Sequence, residues 1–265
     1  MRSCFRSAEI VSVASTPFTR GANLATDSLT LSEAHLPAPR STVAGAMHTI
    51  FLLAVIVGWS TLGYFGAARM RTGTTPHRAP MYVFTILWEW AVVGYVVWGV
   101  KRHGSSLGQL IGGKWNSWKA VLKDIGIAAG FWLIALAVLF CTAIALHVDK
   151  PGPGIRFMLP QNHLEIFLWV LTSMTAGICE EIIFRGYFQK QFCAWTGNIT
   201  AGVLLSAGVF GAGHIYQGGK SAIVITVYGV LFGILAEFRK SLRPGMITHA
   251  WHDGFAGLVG RLLLK

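Results

Sequence analysis

From residue 48 onward the chain alternates long apolar runs with short polar or basic breaks. A helix needs roughly 20 apolar residues to cross a bilayer. By that measure the pattern predicts crossings at about 48–68, 80–100, 125–146, 164–184, 199–217, 221–237 and 246–264. The predicted fold class is therefore all-α: a polytopic transmembrane helix bundle of about seven spans. The stretch 105–123, SSLGQLIGGKWNSWKAVLK, is only moderately apolar. Its Trp and Lys content predicts a helix lying at the membrane interface.

Residues 1–46 break the pattern. They are rich in Ser, Thr and Ala and lack the continuous apolar stretch of about 7–15 residues that a secretory leader requires. Two expectations follow: a disordered tail, or a natural start at Met47, where a membrane span begins at once. The remainder divides into N-terminal membrane helices (47–163), a core that carries the candidate chemistry (164–258) and a short C-terminal end (259–265).

Composition supports the membrane assignment. Only 12% of residues are charged and 53% are hydrophobic, whereas a soluble domain carries about 25% charged residues. The net charge of +11 does not point to nucleic acid, because the basic residues punctuate apolar runs instead of covering a polar domain. The bilayer itself is the expected partner. Loops 101–124, 185–198 and 238–245 carry more Lys and Arg than the loops between them. The positive-inside rule makes them cytoplasmic, with the N-terminus inside. The expected location is the bacterial cytoplasmic membrane.

Ionisable residues inside apolar spans are costly and mark candidate sites. The fourth run ends in Cys179-Glu180-Glu181-Ile182-Ile183-Phe184-Arg185. Residues four apart share a helix face, so Glu181 and Arg185 can pair, leaving Glu180 without a local counter-ion. A carboxylate in such a setting can serve as a general base. The bland reading is charge neutralisation across the bundle; it suits the lone Glu89 of the second run better than an adjacent pair. The fifth run holds Phe210-Gly211-Ala212-Gly213-His214, whose small residues allow a neighbouring helix to approach closely. The seventh begins His249-Ala250-Trp251-His252-Asp253, with His249 and Asp253 on one face. No HExxH, GxSxG or complete phosphate loop is present, and the four cysteines form no CxxC pair.

The three patterns together, EExxxR at 180–185, FxxxH at 210–214 and HxxxD at 249–253, resemble the CAAX protease and bacteriocin-processing family (CPBP or Abi) of intramembrane glutamic proteases. The resemblance covers about residues 164–258. It implies an intramembrane endopeptidase acting on a membrane-associated or lipidated protein or peptide, without a metal cofactor. It also implies that Glu180 and His214 activate water and that His249 and Asp253 support the oxyanion. Glu181, Arg185 and Phe210 would be structural or assisting. The family's last position is Asn or Asp; Asp253 donates a hydrogen bond only when protonated, so orienting a histidine is its other expected role. A second reading puts zinc at Glu180, His214 and His249. A third is a non-catalytic membrane-binding, immunity or transport protein.

One geometric conflict follows from the predicted spans. Centring each span separates Glu180 from His214 by about 15 Å in depth at the helical rise. The expected resolution is that the fourth helix continues beyond Arg185 through Gly186-Tyr187-Phe188-Gln189.

Overall fold

Inside hydrocarbon a backbone amide finds no water, so each apolar run must satisfy its own amides as a helix. The computed structural model, which describes residues 41–69, 78–148 and 158–263, forms helices and no β-strand among those residues. They are α1 (Ala46–Arg69), α2 (Arg78–Arg102), α3 (Leu107–Ile111), α4 (Trp118–Ala145), α5 (His163–Thr196), α6 (Ile199–Gly213), α7 (Gly219–Arg239) and α8 (Arg243–Leu263). Each of the seven predicted crossings is a helix. Five of these, α1, α2, α4, α5 and α7, are long and apolar enough to cross a membrane. Residues 1–40, most of the expected tail, lie outside the described residues.

The boundaries depart from the predicted ones where capping residues intervene. The expected interfacial helix at 105–123 is two pieces. Ser106 and Gln109 form a capping box that starts α3, and Gly112, with φ of 94°, ends it. Ser117 then accepts from the Ala120 N–H and starts α4 seven residues before the predicted third span. The fifth run ends early: α6 stops at Gly213, His214 is its C-cap, and Ile215–Gln217 form a 3-10 turn. The fourth run extends the other way, as expected, because α5 continues past Arg185 to Thr196.

Hydroxyls within the apolar helices return to carbonyls one turn back, as Thr142 does to Val138, Thr172 to Leu168 and Thr226 to Ala222. This removes the cost of an unpaired hydroxyl in hydrocarbon. Thr248 of α8 reaches its own Pro244 carbonyl and that of Ala128 in α4, so it also joins two helices. The C-terminal half of α5 is the centre of the bundle. Its buried Gln191 accepts from the Val43 and Ala44 N–H groups and donates to the Ala44 carbonyl, which pins the entry to α1. Lys190 donates to the Gln109 and Leu110 carbonyls at the end of α3.

Small residues set the closest crossings. A Cβ at Gly177 of α5 would lie 2.7 Å from both the Met246 carbonyl oxygen and the Ala250 nitrogen of α8. A Cβ at Gly211 of α6 would lie 2.7 Å from the Ala222 carbonyl of α7. Backbone atoms cannot rotate away, so Gly177→Ala should cost about 1–3 kcal/mol through overpacking. Gly130→Ala, on an open face of α4, should leave stability unchanged. Thermal unfolding of the two variants in detergent micelles checks this, and equal midpoints would contradict the crossing described.

Candidate active site

The central feature is a carboxylate that serves two helices. Glu181 of α5 is 1% exposed, and its Oε1 lies 2.9 Å from Arg185 Nη1 and 3.1 Å from His249 Nδ1 of α8. The Glu181–Arg185 pairing expected from their spacing is therefore present. Residues Glu181–Phe188 adopt a π-helical register inside the otherwise α-helical α5, and all eight are buried. The wider turn sends the Gln189 N–H to the Phe184 carbonyl, five residues back, and Ser206 of α6 donates to the same oxygen at 2.6 Å. Such π-segments recur at functional sites because they redirect side chains without ending the helix.

Aromatic rings complete the setting of Arg185. Its guanidinium sits 4.3 Å from the Phe210 ring centroid and 5.1 Å from that of Phe232. A buried cation gains from the negative face of a ring when water is absent. Phe210 also stands edge-on to His249, with centroids 5.9 Å apart. The FxxxH spacing has a local reason too: His214 Nδ1 donates to the Phe210 carbonyl at 2.9 Å, leaving Nε2 as the available ring nitrogen.

His249 is only 3% exposed. With Nδ1 on Glu181, its Nε2 lies 3.5 Å from Glu180 Oε2 and 3.7 Å from Asp253 Oδ2. The fourth and seventh predicted spans thus bring Glu180, Glu181, Arg185, His249 and Asp253 into one cluster. His214 joins at its edge: it lies within electrostatic reach of Asp253, though in no direct contact with Glu180. The depth conflict is resolved by the length of α5. At about 1.5 Å per residue, Glu180 stands about 24 Å above the end of α5 and His214 about 22 Å above the start of α6.

Glu89 departs from the neutralising role expected for it. It is buried, forms no ion pair among the described residues, and its Oε2 has no hydrogen-bond partner. It lies within electrostatic reach of Glu180 and Asp253, so α2 adds a fourth carboxyl group to the cluster. The motifs also omitted Tyr228 of α7, whose ring centroid lies 4.8 Å from that of His252 and 5.9 Å from that of His249. A lone Tyr within an apolar helix was its only signal in the sequence. His252 packs on Tyr228, and its Nδ1 has no hydrogen-bond partner among the described residues. Among the described residues no group of three or more His, Cys, Asp or Glu side chains is arranged to hold a metal ion.

Fold and site together define a helical membrane protein with an acid- and histidine-rich centre. Residues 162–255 match the family model described as Rce1-like, type II CAAX prenyl endopeptidase Rce1-like. The match covers about a third of the chain and agrees with the resemblance to CAAX proteases that the three motifs carry. No curated protein and no solved structure matches it.

The two adjacent glutamates should respond differently to substitution. Glu181→Ala strands the buried Arg185 and should cost about 3–5 kcal/mol. Glu180→Ala should cost far less, because Glu180 is partly exposed and makes only a 3.5 Å contact. Thermal unfolding of both in micelles tests this, and the reverse ranking would contradict the assignment of Glu181 as the structural partner.

Proposed function

We propose that the protein is an intramembrane endopeptidase that hydrolyses a peptide bond of a membrane-associated or lipidated protein, with Glu180 as the base. The observation that carries this reading is the environment of His249. Its Nδ1 is braced by Glu181, while Glu180 and Asp253 face its Nε2. Glu180 is then the one of the two adjacent carboxylates left without an arginine.

In this reaction Glu180 takes a proton from a water that also donates to His214 Nε2. The hydroxide attacks the carbonyl carbon of the substrate, and a tetrahedral oxyanion forms. Glu180 returns the proton to the leaving nitrogen, and the C–N bond breaks. Both ring nitrogens of His249 face carboxylate oxygens, an arrangement satisfied by a doubly protonated ring. Such a ring presents an N–H toward the oxyanion, in a site where low dielectric strengthens the interaction. Asp253 orients His249 and is drawn as an acceptor throughout.

The mechanism needs no resident metal. The zinc reading is disfavoured by the donor set: both nitrogens of His249 face carboxylates, which removes it from the expected ligands Glu180, His214 and His249. The family description supports a substrate with a CAAX-type, lipid-bearing end. Orientation with the N-terminus inside is supported by Lys101, Arg102, Lys190, Arg239 and Arg243, all at the end of the bundle where α1 starts.

Glu180→Gln should lower cleavage by about 10²–10⁴-fold, the usual contribution of a general base, while leaving insertion intact. Proteomics of membranes holding wild type or Glu180→Gln should show one uncleaved membrane protein accumulating with the variant. Full turnover by Glu180→Gln would exclude this base. Purified protein should also keep its activity after treatment with 1,10-phenanthroline; loss of activity restored by zinc would favour the metal reading.

A further inference from the structure

A peptidase site needs hydrogen-bond donors where negative charge develops, yet this centre is rich in acceptors. Glu180 and Asp253 supply carboxylate oxygens, and a carboxylate only accepts. His214 uses Nδ1 on the Phe210 carbonyl. His249 commits Nδ1 to Glu181 and divides Nε2 between Glu180 and Asp253. The His249 Nε2–H is therefore the one donor assigned to the oxyanion, and two carboxylates compete for it.

Tyr228 supplies what is missing. It is 5% exposed, and its hydroxyl has no hydrogen-bond partner among the described residues. A buried hydroxyl left unpaired is costly, and each such group in a folded protein calls for a reason. The side chain faces the site and not the lipid: it lies within electrostatic reach of Asp253, Glu181, Arg185 and Glu180. Its ring is wedged against Phe232, with centroids 4.5 Å apart, and against His252 at 4.8 Å. Phe131 of α4 backs Phe232 edge-on at 5.0 Å. The phenol is therefore held rigidly by rings, with its O–H left unbonded.

We propose that the Tyr228 hydroxyl is a further catalytic group, donating a hydrogen bond to the oxyanion formed on the substrate carbonyl. The proton stays on the phenol throughout, so the proton cycle of Glu180 is unchanged. The role presupposes the peptidase activity proposed for the site. It also gives α7 a direct part in the chemistry.

Tyr228→Phe isolates the hydroxyl, because Phe keeps the ring that packs on Phe232 and His252. The test uses the full-length protein in detergent micelles. The probes are a fluorescence-quenched peptide ending in a farnesylated cysteine and the membrane protein that accumulates with Glu180→Gln. The expected result is a fall in kcat of about 10²-fold, typical for one lost oxyanion donor, with KM and thermal midpoint unchanged. Activity within twofold of wild type would overturn the proposal. So would a fall matched by a lower thermal midpoint or a raised KM, which marks a structural or binding role. A loss in His252→Phe without one in Tyr228→Phe would move the donor to His252 and also overturn it. Cleavage independent of Glu180, or no cleavage of either probe, would remove the peptidase reading itself, whereas Glu180-dependent cleavage retained in Tyr228→Phe removes only the role of Tyr228.

Discussion

The Glu181 carboxylate, shared between Arg185 and His249, is the contact on which the rest of the site depends. A charge in hydrocarbon must be matched or neutralised, and a broken buried pair leaves a penalty of several kcal/mol. Meeting that demand within α5 alone would take only Arg185. By also engaging His249 Nδ1 at 3.1 Å, Glu181 fixes the ring that faces Glu180 and joins α5 to α8. The two helices can lie this close because Gly177 presents no side chain to Met246 and Ala250. Phe210 and Phe232 close over the guanidinium, so α6 and α7 take their positions from the same ion pair.

The length of α5 governs depth in the same way. A helix ending near Arg185 would leave Glu180 at one surface, remote from His214. Continuing to Thr196, with a π-segment through the site, lowers the start of α6 and brings the end of α6 level with Glu180. The buried Gln189, Lys190 and Gln191 that permit this extension each bond to another part of the chain: α7, the end of α3 and the entry to α1. The expected extension runs through Gln189, and Lys190 and Gln191 beyond it read in sequence as a loop, because a polar run after an apolar one normally marks the membrane surface. Only their partners in the fold explain their burial.

The family match covers residues 162–255, but Glu89, one carboxyl group of the site, comes from outside it. Glu89 approaches from α2, and Tyr216, in the turn after α6, lies against Gly63 of α1. α2 thus adds a group to a core that the motifs already identify, and α1 packs on the turn that follows His214. Glu89 was visible in the sequence as a charge in an apolar run. Its closeness to two other carboxylates was not, because no motif spacing relates α2 to α5.

By itself the sequence determined the solvent, the seven apolar helices found among the described residues and the motifs that meet in the acidic, histidine-bearing centre. Those depend on composition, on apolar run length and on i, i+4 spacing within single helices, all local properties. Glu181–Arg185 and Phe210–His214 belong to this class, each closed within about one turn. The tertiary structure alone decided that His249 turns toward both glutamates, that the α-helical register slips at Glu181, and that the Tyr228 hydroxyl, unbonded among the described residues, lies within electrostatic reach of the carboxylates. These facts depend on crossings between helices, where contact is set by small residues such as Gly177 and by the need to match a buried charge. Neither requirement leaves a periodic trace along the chain.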